Sequence, residues 1–210
     1  LVLTAAHCLF EKPTGAAISP DAIEFRAGWR NGRAEAYRRV RRAVVHPDYV
    51  YGGDVVSDRV RHDIALLQLH RPIRTTAVTP FQTEVGRGAG QPVGIVSYAH
   101  DRADAPSLQQ VCNVIGYQQG MLVTSCNVDF GSSGAPIFSF EGGTPRIVSV
   151  VSAKARMDGD AVALGTDLAG PLRTLREILA RGEGMFLRAP SNDAAGTPDQ
   201  GRRDTGAKFL

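Results

Sequence analysis

Short apolar runs, broken at regular intervals by turn residues, constrain this chain more than any other feature. AIEFRAG, YRRVRRAVVH, DIALLQL, QPVGIVSYA, LQQVCNVIGY, MLVTSC, GAPIFSF, RIVSVVSA and AVALGTDL follow one another along the sequence. They are rich in Val, Ile, Phe and Tyr, and Gly, Pro, Asp and Asn separate them, as at Asn31-Gly32, Gly52-Gly53-Asp54 and Gly142-Gly143. Runs of this length and spacing predict antiparallel strands of a sandwich or barrel. No strand-helix-strand alternation occurs, which excludes a parallel α/β sheet. One helix is predicted over residues 170–180, where Leu172, Leu175 and Leu179 recur at three- and four-residue spacing after Pro171, and Gly182 supplies a stop. A short helical turn is predicted over residues 5–9.

A length of 210 residues with 43% hydrophobic content is enough for one large domain or two small ones, each with its own core. Collagen-like, coiled-coil and wholly disordered classes are excluded. No apolar run reaches the roughly 18 to 20 residues that cross a bilayer as a helix, so no membrane insertion is expected. Residues 72–94 hold Pro72, Pro80 and Pro92 among four glycines and read as a connector. The expected division is β-rich halves at 1–71 and 95–169, the helix at 170–180, and a disordered tail at 181–210, which is polar and without period from Pro190 onward. The net charge of +3 rests on 24 basic residues against 21 acidic ones. Arg33, Arg38, Arg39, Arg41 and Arg42 cluster in RAEAYRRVRR, but no nucleic-acid-binding signature accompanies them. They read as a solvated strand face, with no nucleic-acid partner.

Three segments carry the residue types that nucleophilic catalysis needs. Thr4-Ala5-Ala6-His7-Cys8 sets a histidine among small neighbours that leave the imidazole accessible. His62-Asp63-Ile64-Ala65-Leu66-Leu67 heads an apolar run with an aspartate, and a carboxylate drawn into such surroundings needs a partner such as an imidazole N–H. Asp129-Phe130-Gly131-Ser132-Ser133-Gly134-Ala135-Pro136 flanks two serines with glycines, so the backbone can present a hydroxyl and point N–H groups into one anion-binding concavity. Chain order narrows the mechanism. No histidine follows Ser133 and no aspartate precedes His7, so the order His, Asp, Ser remains. His46, His62, His70 and His100 show no HExxH or CxxC-type pattern. They read as surface or supporting groups, and neither a metal nor a cofactor is expected.

TAAHC, DIALLQL and GSSGAP resemble the three signature segments of the chymotrypsin/trypsin family of serine peptidases, in that family's order, and VHPDY resembles its strand before the Asp loop. The likeness spans about residues 1–180 and is nearest to small bacterial trypsin-like members. It implies an all-β fold of two packed six-stranded antiparallel barrels with a C-terminal helix. It also implies a secreted or periplasmic serine endopeptidase, a monomer acting on polypeptide substrates. In those roles Ser133 attacks the carbonyl, His7 moves the proton, and Asp63 orients the imidazole. Gly131 and Ser133 would supply the oxyanion hole. Asn127, six residues before the nucleophile, and Ser152, Ala153 and Lys154, in a strand that pairs with extended peptide, would contact substrate. Asn127 is neutral, so the carboxylate that selects Arg or Lys is absent at that count.

The departures also carry information. Ser132 stands where animal relatives have the Asp that pairs with a freed N-terminal amine, which predicts a site assembled without that switch. Ala135 stands where they have Gly. Cys112 and Cys126 bracket a hairpin-like segment, and the resemblance favours a disulfide over two reduced thiols. Cys8 has no earlier strand to pair with. The chain opens at LVLTAAHC without Met or export signal, and it reads as a fragment whose first barrel lacks its opening strands and whose Cys8 partner lies upstream. A catalytically silent binding protein and a small-ester hydrolase are the alternatives to peptidase activity.

Overall fold

The computed structural model describes residues 1–52, 56–86, 88–98, 103–129 and 131–186. Its strands are β1 (Val2–Thr4), β2 (Glu24–Ala27), β3 (Ala36–Val45), β4 (Ala65–Leu69), β5 (Gln82–Thr83), β6 (Pro92–Ser97), β7 (Ser107–Gln118), β8 (Met121–Thr124), β9 (Pro136–Ser139), β10 (Arg146–Met157), β11 (Asp160–Thr166) and β12 (Met185–Phe186). Two α-helices, α1 (Val56–His62) and α2 (Ala169–Ala180), join them, and the turn that carries His7 is a 3-10 helix over Ala6–Leu9.

The second half closes on itself. Its strands run β11-β8-β7-β6-β9-β10, and β10 pairs back onto β11, which makes a six-stranded antiparallel barrel with β5 added in parallel to β10. Closure removes exposed sheet edges, and the interior is filled by Val93, Ile95, Val114, Leu122, Ile137, Val148, Val151 and Ala163. Cys112 and Cys126 lie inside this core and form the disulfide. The first half is an open five-stranded sheet ordered β1-β4-β3-β12, with β2 on β3. Val2, Ala6, Leu9, Phe25, Val40, Ala43 and Leu67 form its core.

Helix α2 packs Leu172 and Leu175 with Val44 and Leu66 of the first sheet and with Ile64 just before β4. Its C-terminal carbonyls have no partner within the helix, and Arg42 supplies one from β3. The Arg42 guanidinium donates to Leu179 O at 2.9 Å and to Glu183 O at 3.2 Å, and its Nε donates to Gln68 Oε1 at 3.1 Å. Arg42 is therefore buried, unlike the solvated strand face read for the arginine cluster, because a helix end needed its donors. Gly182, at φ 81°, ends the helix as expected, its N–H donating to Leu179 O. Residues 181–186 belong to the fold, since Met185 and Phe186 pair with Ala43 and Arg42. The predicted tail beyond them, 187–210, lies outside the described residues. Residues 72–94 contribute β5 and the start of β6 to the second sheet rather than only linking the halves. Among the described residues no helix is long and apolar enough to cross a membrane.

Candidate active site

His7 sits one residue into the 3-10 turn that follows β1, and Asp63 sits between the end of α1 and the start of β4. Strands β1 and β4 are paired, with Thr4 opposite Ala65, so the residues just beyond these ends meet. The His7 backbone N–H donates to Asp63 Oδ1 at 2.8 Å, and His7 Nδ1 lies 2.6 Å from Asp63 Oδ2. With Nδ1 engaged by the carboxylate, Nε2 is the nitrogen left to exchange a proton with a substrate or nucleophile. The Asp63 side chain is 4% exposed and that of His7 25%, so the carboxylate is sealed and the imidazole remains accessible.

The second barrel completes the shell around Asp63. Ser152 Oγ, on β10, donates a hydrogen bond to Asp63 Oδ2. Thr166 Oγ1, on β11, donates to Val60 O at 2.7 Å and to Asp63 O at 3.2 Å, which fixes the backbone that presents the carboxylate. Ser152 was read from the sequence only as a substrate-strand residue, and Thr166 was not singled out. Both roles depend on contacts between the halves, and no local motif carries them.

The turn bearing Ser133 is tied into the same junction. Gly134 N–H donates to Val151 O at 2.8 Å and Val151 N–H to Ala135 O at 2.9 Å, so the residues after Ser133 are stapled to β10 just before Ser152. Gly134 has φ 75°, and a methyl group there would stand 2.5 Å from Thr4 Oγ1, 3.3 Å from Ala5 N and 3.5 Å from Cys8 Sγ. Only glycine fits, and its fit presses the Ser133 turn against the segment holding His7. Gly131 has φ 89°, the left-handed conformation that glycine tolerates. Ser132 is buried, with Ser132 Oγ 3.2 Å from Ser97 Oγ of β6. Ala135 packs its methyl against the second core, so this departure from the family pattern fills space.

Burial pulls the His7 pKa down, but the hydrogen bond to Asp63 and the neighbouring Cys8 sulfur outweigh it, and the result is raised to about 10. Cys8 is a free thiol in the structure. Asn127 lines a groove with Ser125, Asp158, Asp160 and Val162 at the β10–β11 turn. Lys154 lies 3.9 Å from Asp129, an ion pair between partly exposed groups, so its charge is shared rather than open to substrate alone. The histidines expected as surface or supporting groups divide. His46 is buried against His62, with ring centroids 4.8 Å apart, His70 is exposed, and His100 lies outside the described residues.

Comparison with known proteins bears on the family and the fold. The family model described as a trypsin-like peptidase domain matches residues 1–144. Among solved structures, a thermostable serine protease, AL20, from an extremophilic microorganism superposes with a TM-score of 0.65 at 19% identity, covering 86% of this chain and 84% of its own. No curated protein sequence matches this chain.

Proposed function

Because this chain belongs to the trypsin-like peptidase family, we propose that it is a serine endopeptidase in which Ser133, His7 and Asp63 act as nucleophile, general base and orienting acid. The observation that carries this reading is the convergence on one junction. Asp63 accepts hydrogen bonds from His7 in the first half and from Ser152 in the second, while Gly134, next to Ser133, packs on Thr4 and Ala5 without room for a methyl.

Ser133 Oγ attacks the scissile carbonyl, and its proton passes to His7. The tetrahedral oxyanion is met by the N–H groups of Gly131 and Ser133. His7 then protonates the leaving amine, and water repeats the sequence on the acyl-enzyme. Asp63 keeps its charge throughout, holding the Nδ1–H tautomer and stabilising the imidazolium. Extended polypeptide would pair with Ser152, Ala153 and Lys154 on β10, with Asn127 in the neighbouring groove. The protein works outside the cytoplasm, a reading supported by the buried Cys112–Cys126 disulfide. The site also assembles without an N-terminal amine switch, since the position of the activating carboxylate is taken by Ser132, which pairs with Ser97 through neutral hydroxyls.

Casein and a small activated ester, each offered to wild type and Ser133→Ala, test the activity. Cleavage of casein by wild type only is the expected result. Ester turnover without casein cleavage would make the protein an esterase, and loss of neither activity in Ser133→Ala would remove Ser133 from the mechanism.

A further inference from the structure

The turn after β3 and the end of α1 bring together three ligating groups that the peptidase mechanism does not use. His46, Asp48 and His62 each offer one ligand atom, and these atoms all lie within 4.8 Å of one another. The two imidazoles stack face to face with their planes 10° apart, and Asp48 Oδ2 lies 3.9 Å from His46 Nδ1. His62 Nδ1 is buried and has no hydrogen-bond partner among the described residues. A buried ring nitrogen without a partner is costly unless something fills its lone-pair or proton site. The backbone beneath is fixed. His46 N–H donates to Ile64 O at 3.2 Å, Ile64 N–H to His62 O at 2.8 Å, and Tyr49 N–H to His46 O at 3.0 Å.

We propose that His46, Asp48 and His62 form a binding site for a single borderline divalent transition-metal ion, of which Zn²⁺ is the type. Two imidazole nitrogens and one carboxylate oxygen suit such an ion, whereas Ca²⁺ and Mg²⁺ need sets dominated by oxygen. Donors around a tetrahedral zinc stand about 3.4 Å apart at zinc-ligand distances near 2.1 Å, so the set closes by at most about 1.4 Å, within reach of side-chain rotation at Asp48 and His62. The Asp48 side chain is 69% exposed, which leaves the fourth position to water. His62 immediately precedes Asp63, and His46 holds the Ile64 carbonyl, so a bound ion would tie together both flanks of Asp63 and stabilise the fold by mass action.

Equilibrium dialysis with Zn²⁺ alone, paired with thermal melting, tests the site on the full chain. One equivalent bound and a raised melting midpoint are expected, with no rise from Mg²⁺ or Ca²⁺. Asp48→Asn, at an exposed position that leaves the fold intact, and His62→Gln should each weaken Zn²⁺ binding at least about tenfold, and Cys8→Ser should leave it unchanged. Absence of binding to wild type overturns the proposal. So does equal binding by Asp48→Asn, or loss of binding in Cys8→Ser, which would move the ion to the Cys8 and His7 side.

Discussion

Asp63 and Ser133 are held in place by different means. Asp63 is fixed by side-chain and backbone donors from both halves of the molecule, namely the His7 N–H and ring, Ser152 and, through its own carbonyl, Thr166. The turn carrying Ser133 relies on backbone shape, with glycines at positive φ on either side, one of them wedged against Thr4 and Ala5. A carboxylate taken out of water needs several donors, whereas a nucleophile needs its hydroxyl free. The acid end should therefore tolerate loss of a single hydrogen bond, and the nucleophile end should not tolerate a single added carbon.

The largest effect expected from breaking the acid end is that of Asp63→Asn, which removes the charge and presents the wrong tautomer to His7. A fall of about 10⁴-fold in kcat is expected, the loss known for this substitution in the family's template triad, with KM little changed. Steady-state kinetics on a peptide substrate measure it.

Gly134→Ala breaks the other end. It combines a left-handed backbone for a non-glycine residue with a clash against Thr4 Oγ1, and together these cost about 3 kcal/mol. Gly142→Ala is the control, because Gly142 has nearly the same φ of 73° but nothing within 4 Å of the added methyl. It should cost only about 1 kcal/mol. Urea denaturation of the pair separates backbone strain from the wedge. Equal costs would mean that the Ser133 turn is not pressed against the His7 segment.

A smaller effect sharpens the comparison. Ser152→Ala leaves Asp63 with both His7 donors, so kcat/KM should drop about tenfold, or about 1.5 kcal/mol, far less than for Asp63→Asn. The smallest effect is read from pH. His7 must be neutral to act as base, so its raised pKa puts the acid limb of the kcat/KM profile above that of a free imidazole, and activity rises with pH through it. Its stability contribution has the opposite sense, being complete below the unfolded value near 6.5 and lost as pH rises through the folded one at about 10. Cys8→Ser removes one of the upward contributions, so the limb should move to lower pH.

The strands were legible because each run carries its own pattern. DIALLQL supplies β4 from Ala65 onward and RIVSVVSA lies in β10, and helix α2 begins within one residue of its predicted start. His7, Asp63 and Ser133 stood out because each lies in a distinctive local motif, and the structure joins His7 to Asp63 by hydrogen bonds. Helix α1 was missed because DVVSDRVRH combines β-branched residues with charges, and among its described side chains only Val60 is buried. Two-residue β12 exists only through pairing with β3, and Arg42 is buried only because α2 ends above it. The Ser152 and Thr166 contacts with Asp63, and the stacking of His46 on His62, join residues far apart in sequence, where no spacing rule reaches.

A fluorophosphonate probe, with the modified residue mapped by mass spectrometry, tests the central claim most directly. A folded wild-type chain should be labelled on Ser133 alone, much more slowly in Asp63→Asn and not at all in Ser133→Ala. A folded wild-type protein that takes no label, or one labelled equally in Ser133→Ala, would contradict the account.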